Sequence, residues 1–106
     1  MAWGSDVHTD EELEKLAAVR GYFQGHFPGA SIRDWYDAAR SAQVFRVEPD
    51  AAGELRNAVV SIDFLEEYVP EKMEKALISL RVAEHLQSAK GKEVLLSGWG
   101  VEEKEE

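Results

Sequence analysis

Residues 42–64 read AQVFRVEPDAAGELRNAVVSIDF, and this stretch decides the fold class. Val44, Phe45 and Val47 belong to a strand that cannot continue through Glu48-Pro49-Asp50-Ala51-Ala52-Gly53. Proline removes a ladder donor, and the small polar residues favour a turn. Beyond the turn, Ala58, Val60, Ile62 and Phe64 alternate with Asn57, Val59, Ser61 and Asp63. Successive strand side chains point to opposite faces, so this alternation marks a half-buried strand over 57–64. The four even-numbered residues are expected to face the helices. The expected class is α+β.

Working outward, Thr9-Asp10-Glu11-Glu12 opens a helix. The Thr hydroxyl and the Glu carboxylate three residues on satisfy each other's orphan N–H groups. Leu13, Leu16, Ala17 and Arg20 share a face, and Gly21 or Gly25 is expected to stop a helix of about 10–20. Residues 1–8 show no periodicity and read as a loose N-terminal arm. Ser31 caps a second expected helix, about 32–41, with Ile32, Trp35, Tyr36, Ala39 and Ala42 as its apolar stripe. Pro70 suits a first helical turn and opens a third helix, about 70–90, ending at Gly91. Val94 to Gly100 reads as a third strand, and the acidic tail 102–106 as frayed. The expected order is α-α-β-β-α-β in one domain of 106 residues, with a three-stranded sheet packed against helices. The last two strands are expected to be parallel neighbours joined by a right-handed crossover.

Composition narrows the class further. The chain has no cysteine, which removes disulfides and thiolate metal sites and suits a reducing, cytoplasmic setting. No apolar run has the length of a membrane span. A net charge of −9 places nucleic-acid binding at a disadvantage, because an acidic surface repels phosphates. His8, His26 and His85 have no metal-ligand spacing, so neither a metal nor another cofactor is expected.

The third helix carries two apolar sides when continued at about 100° per residue. Met73, Ala76, Leu77, Leu80 and Ala83 lie on one, and Ile78, Val82, Leu86 and Ala89 on the other. A helix apolar on two sides is covered twice. The sheet covers one face. For the other, two covers are open: the N-terminal helices, or a second subunit meeting Ile78, Val82, Leu86 and Ala89. A homodimer, or another protein partner, follows from the second.

Half of the ten aromatic residues fall within Tyr22–Tyr36, around His26. Tyr22, His26, Phe27 and Arg33 are the candidate ligand-binding residues, since aromatic walls with an imidazole and a cation make a small-molecule pocket. The same stripe also reads as plain core, with His26 in a turn. The segment Phe23-Gln24-Gly25-His26-Phe27-Pro28-Gly29 resembles the active-site loop of the hotdog-fold 3-hydroxyacyl-carrier-protein dehydratases. That resemblance implies an acid/base role for His26 on acyl thioesters. The chain departs from the family pattern where Ser31, Asp34 and Trp35 stand for Pro, Pro and Gly, and Arg40 stands where a carboxylate is expected. The expected function is a small soluble, non-enzymatic interaction module that self-associates. The alternative is a small enzyme using His26 in an aromatic pocket. A third reading, an acidic protein that occupies basic surfaces of a partner, rests on the 21 acidic side chains.

Overall fold

The structure is a computed structural model that describes residues 10–48, 55–88, 92–98 and 100–105. The elements run α1 (Asp10–His26), β1 (Ser31–Asp37), β2 (Ala42–Glu48), β3 (Arg56–Ser61), α2 (Ile62–Glu67), α3 (Pro70–Ser79), α4 (Val82–Ser88), β4 (Lys92–Ser97) and β5 (Gly100–Glu105). The class is α+β. The expected three-stranded sheet and α-α-β-β-α-β order are corrected to a five-stranded mixed sheet, in the order β1-β2-β3-β4-β5, with four helices. The first three strands form an antiparallel meander. The chain then crosses over through α2, α3 and α4 to place β4 parallel to β3, as expected of the last two strands, and closes with an antiparallel β4–β5 pair.

Helix α1 passes through both glycines that were expected to end it. Each glycine costs about 1 kcal/mol in a helix interior. Burial of Leu16, Val19, Tyr22 and Phe23 outweighs that cost, at spacings of three and four that make one stripe. This stripe is rotated from the expected one, so Leu13 and Ala17 are exposed. The helix closes with Phe27 N–H donating to the Phe23 carbonyl (2.9 Å), and Gly29 then turns the chain at φ 86°. Only glycine enters that region without steric cost.

The expected second helix is strand β1. Its residues pair one for one with β2, from Ser31 opposite Glu48 to Asp37 opposite Ala42. The turn between them is closed by Asp37, whose Oδ1 accepts from Ala39 N–H at 3.1 Å. Strand β2 holds the expected Val44, Phe45 and Val47, but β3 stops at Ser61, short of Phe64. There the Ser61 hydroxyl accepts from Phe64 N–H at 3.2 Å and starts α2. Ala58 and Val60 face the helices as expected, whereas Ile62 and Phe64 lie on α2.

The expected helix of about 70–90 is two helices. Pro70 opens α3 as expected, but the chain breaks at Leu80-Arg81, where Arg81 takes a left-handed φ of 55°. The break re-aims the second apolar side. Met73, Ala76 and Leu77 of α3 and Val82, Ala83 and Leu86 of α4 all enter one core with Phe45, Val47, Ala58, Val60, Val94 and Leu96 of the sheet. The acidic end of the chain, read as frayed, is β5 through Glu105. It is held by the ladder from Lys92–Glu105 to Ser97–Gly100. The expected loose arm, 1–8, lies outside the described residues.

Strand alternation gives the sheet two unlike faces. The inner one carries the core residues above. The outer one carries Arg33, Trp35 and Asp37 of β1, Ala42, Val44 and Arg46 of β2, Val59 and Ser61 of β3, and Glu93 and Leu95 of β4. Ala42, Val44 and Val59 form a small second cluster there, with Leu95 against it.

Candidate functional site

The residues expected to make a ligand pocket separate in the structure. Tyr22 and His26 stay together, one turn apart on α1, with ring centroids 4.4 Å apart. Phe27 is half-buried against the core. Arg33 points to the outer face of the sheet, away from α1. The cleft beside His26, about 200 Å³, is instead lined by Gly21, Tyr22, Gly25, His26, Glu74 and Ile78, between α1 and α3. The Tyr22 hydroxyl is engaged in the fold: it accepts from Ala83 N–H at 2.8 Å. Burial raises the Tyr22 pKa above its ordinary value; the bond from Ala83 opposes this and the nearby Glu84 charge adds to it.

The segment after His26, expected as a helix of about 32–41, is β1, and His26 itself ends a helix. Arg40, at the position expected for the carboxylate, lies in the β1–β2 turn. Its guanidinium donates to Asp37 Oδ2 through Nε (2.8 Å) and to both carboxylate oxygens of Glu93 through Nη1 (2.8 and 2.9 Å). Since β3 separates β2 from β4, this side chain reaches over the outer face and clamps the turn to β4. The Arg40 bond holds the Asp37 carboxyl below its ordinary range, and its bonds to Asp37 and Glu93 raise Arg40 itself. Beneath the clamp is a second cleft of about 330 Å³, whose lining includes Ala42, Val59, Ser61, Leu95 and Glu102.

The expected interface residues also separate. Ile78 is 53% exposed on α3, whereas Val82 and Leu86 are fully buried within this chain. Ala89 lies outside the described residues. The intramolecular cover therefore accounts for Val82 and Leu86, and Ile78 alone of the described three stands where a second molecule can reach it.

Trp35, expected in a core stripe, is 39% exposed on the outer face of β1. The Arg46 guanidinium sits 5.0 Å above its ring. On the inner face of the same strand, Asp34 pairs with Arg20 and accepts from Gln43 Nε2 at 2.8 Å. Among the described residues, β1 is paired on one side only, so its other edge offers backbone donors and acceptors. Alternation gives little signal for this edge, because Asp34 interrupts the apolar set of the inner face and Trp35 the polar set of the outer one. No group of three or more His, Cys, Asp or Glu side chains with metal-binding placement occurs among the described residues. No helix among them is long and apolar enough to cross a membrane. Comparison with protein families, characterised proteins and solved structures returns no match to this chain.

Proposed function

We propose that this protein is a non-enzymatic interaction module that self-associates, and that it does so through its sheet rather than its helical layer. The observation that carries this reading is the free edge of β1 with Trp35 standing 39% exposed beside it. Free strand edges are templates for pairing, and large aromatic side chains dominate association energetics. The helical layer supports the same choice, because Val82 and Leu86 are consumed in the protomer's own core.

Sedimentation equilibrium of the whole chain tests it. A concentration-dependent dimer is expected, and a monomer throughout the millimolar range refutes it. The acid/base alternative is favoured by one observation, the cleft shared by His26, Tyr22 and Glu74. Hydration or dehydration of an acyl thioester by the wild type, lost in His26→Ala, would establish that alternative. Neither is expected, because the Tyr22 hydroxyl is already committed to Ala83 and the position implied for a carboxylate holds Arg40.

A further inference from the structure

We infer that β1 pairs antiparallel with β1 of a second copy of this chain, on a two-fold axis through Trp35. The inference rests on the self-association reading and specifies its surface and register.

The edge direction comes from Arg20. Its Nη1 donates to the carbonyl of Ile32 at 3.4 Å. A strand carbonyl that takes a side-chain donor lies on the side away from the neighbouring strand. Backbone groups alternate along a strand, so Asp34 and Tyr36 also present N–H and C=O outward. These are the groups that a new strand must meet.

Charge then selects the register. With Asp34 on the two-fold axis, two Asp34 carboxylates oppose each other. With Arg33 on the axis, two guanidinium groups do. With Tyr36 on it, Arg33 faces Ala39 and gains no counter-charge. Only with Trp35 on the axis does Arg33 of each copy lie opposite Asp37 of the other. Opposite charges facing across strands stabilise the pair, and like charges destabilise it. The same register sets Asp34 opposite Tyr36 as two hydrogen-bonded pairs, using the outward backbone groups. Trp35 then faces Trp35 as a non-hydrogen-bonded pair, in which side chains approach most closely.

Both charged residues have reason to accept this partner. Arg33 is the counterpart of Arg46 in the β1–β2 ladder, a like-charge pair within the chain. Its own acid, Glu48, sits at 3.5 Å from a side chain that remains 71% exposed. Asp37 uses one site on each oxygen, for Ala39 and Arg40. A carboxylate oxygen accepts more than one hydrogen bond, so both oxygens can take a further donor.

The absence of cysteine makes a clean test. Trp35→Cys, mildly oxidised, is expected to form a disulfide-linked dimer. Because losing the indole can itself weaken association, a second variant carries Arg33→Cys and Asp37→Cys together. These two positions are about 13 Å apart on one extended strand, too far for an internal disulfide. A cross-linked dimer is expected, and Arg33→Cys alone should give none. Charge reversal at Arg33→Asp should raise the dimer dissociation constant about tenfold or more, and adding Asp37→Arg should restore it. A wild type that sediments as a monomer overturns self-association itself. A wild-type dimer in which neither cysteine variant cross-links overturns the β1 register and leaves self-association standing.

Discussion

Replacing Tyr22 by Phe removes one oxygen atom and tests how α4 is started. Helix α4 begins at Val82, directly after left-handed Arg81. The first N–H groups of a helix lack intrahelical acceptors. Here the N–H of Ala83 donates to the Tyr22 hydroxyl at 2.8 Å, across 61 residues of sequence and inside the protein. The ring is 3% exposed and packs edge-on against Phe23, with centroids 5.5 Å apart. Phe keeps that packing, so the change isolates the hydrogen bond. A typical intramolecular bond contributes about 1 kcal/mol net, and a buried donor left unpaired costs about 1–3 kcal/mol. The expected destabilisation is about 1–2 kcal/mol, or a fall in Tm of about 5–10 °C for a domain of this size. Urea unfolding at pH 7 reads it directly. Alkali supplies a second signature. The folded pKa of Tyr22 is raised above 10.0, so its contribution is complete below pH 10 and is lost as pH rises through the folded value. The wild-type advantage over Tyr22→Phe should therefore shrink above pH 10. A destabilisation under about 0.5 kcal/mol at neutral pH would refute the cap.

Val82→Glu should unfold the protomer rather than split a dimer, since Val82 is 0% exposed and an uncompensated buried carboxylate costs about 4 kcal/mol or more. Ile78→Glu, on the exposed side of α3, should change stability by less than about 0.5 kcal/mol, and circular dichroism melts of the two variants distinguish them. Arg40→Ala should cost about 1 kcal/mol at pH 7 through the loss of the Arg40–Glu93 pair, measured by urea unfolding. The Asp37 pKa is lowered on folding, so its contribution is present above its unfolded value of 3.8 and disappears as pH falls through the folded value. The share of the difference between wild type and Arg40→Ala that comes from Asp37 should accordingly disappear in strong acid; a difference that acid leaves unchanged would show that Asp37 is no part of it.

Strand β2 was legible because its signal is local: a β-rich run ended by a proline-led turn. The α2 start was misread for an equally local reason. Ile62 and Phe64 extend the alternation of β3, while the competing signal is a single hydroxyl, Ser61 bonding Phe64 N–H. Strand β1 satisfies helical spacing through Ile32, Trp35, Tyr36 and Ala39, and its inner face hides its period because Asp34 occupies a core-side position. That carboxylate is neutralised by Arg20, 14 residues earlier, and by Gln43 on the next strand, contacts no short window displays. The break at Leu80-Arg81 has neither glycine nor proline to announce it, and its compensation comes from Tyr22. The clamp from Arg40 to Glu93 spans 53 residues and was invisible for the same reason.

These long-range contacts bear on the proposed pairing of β1, one of the two edge strands of the sheet among the described residues. Its neighbours in the sheet are anchored by apolar side chains: Phe45 and Val47, Ala58 and Val60, Val94 and Leu96 are all buried. Strand β1 contributes only Ile32 to that core. Asp34 adds polar contacts on that face with Arg20 and Gln43, and Gln43 Oε1 has no hydrogen-bond partner among the described residues. The Arg20–Asp34 pair, whose guanidinium is partly exposed, is worth less than apolar burial, because water competes for it. The strand is thus held by its ladder to β2 on one edge and weakly by the helical layer behind it. Pairing the other edge with a second copy would satisfy the outward backbone groups and screen the Arg33–Arg46 repulsion. It would also bring the two Trp35 rings out of water together.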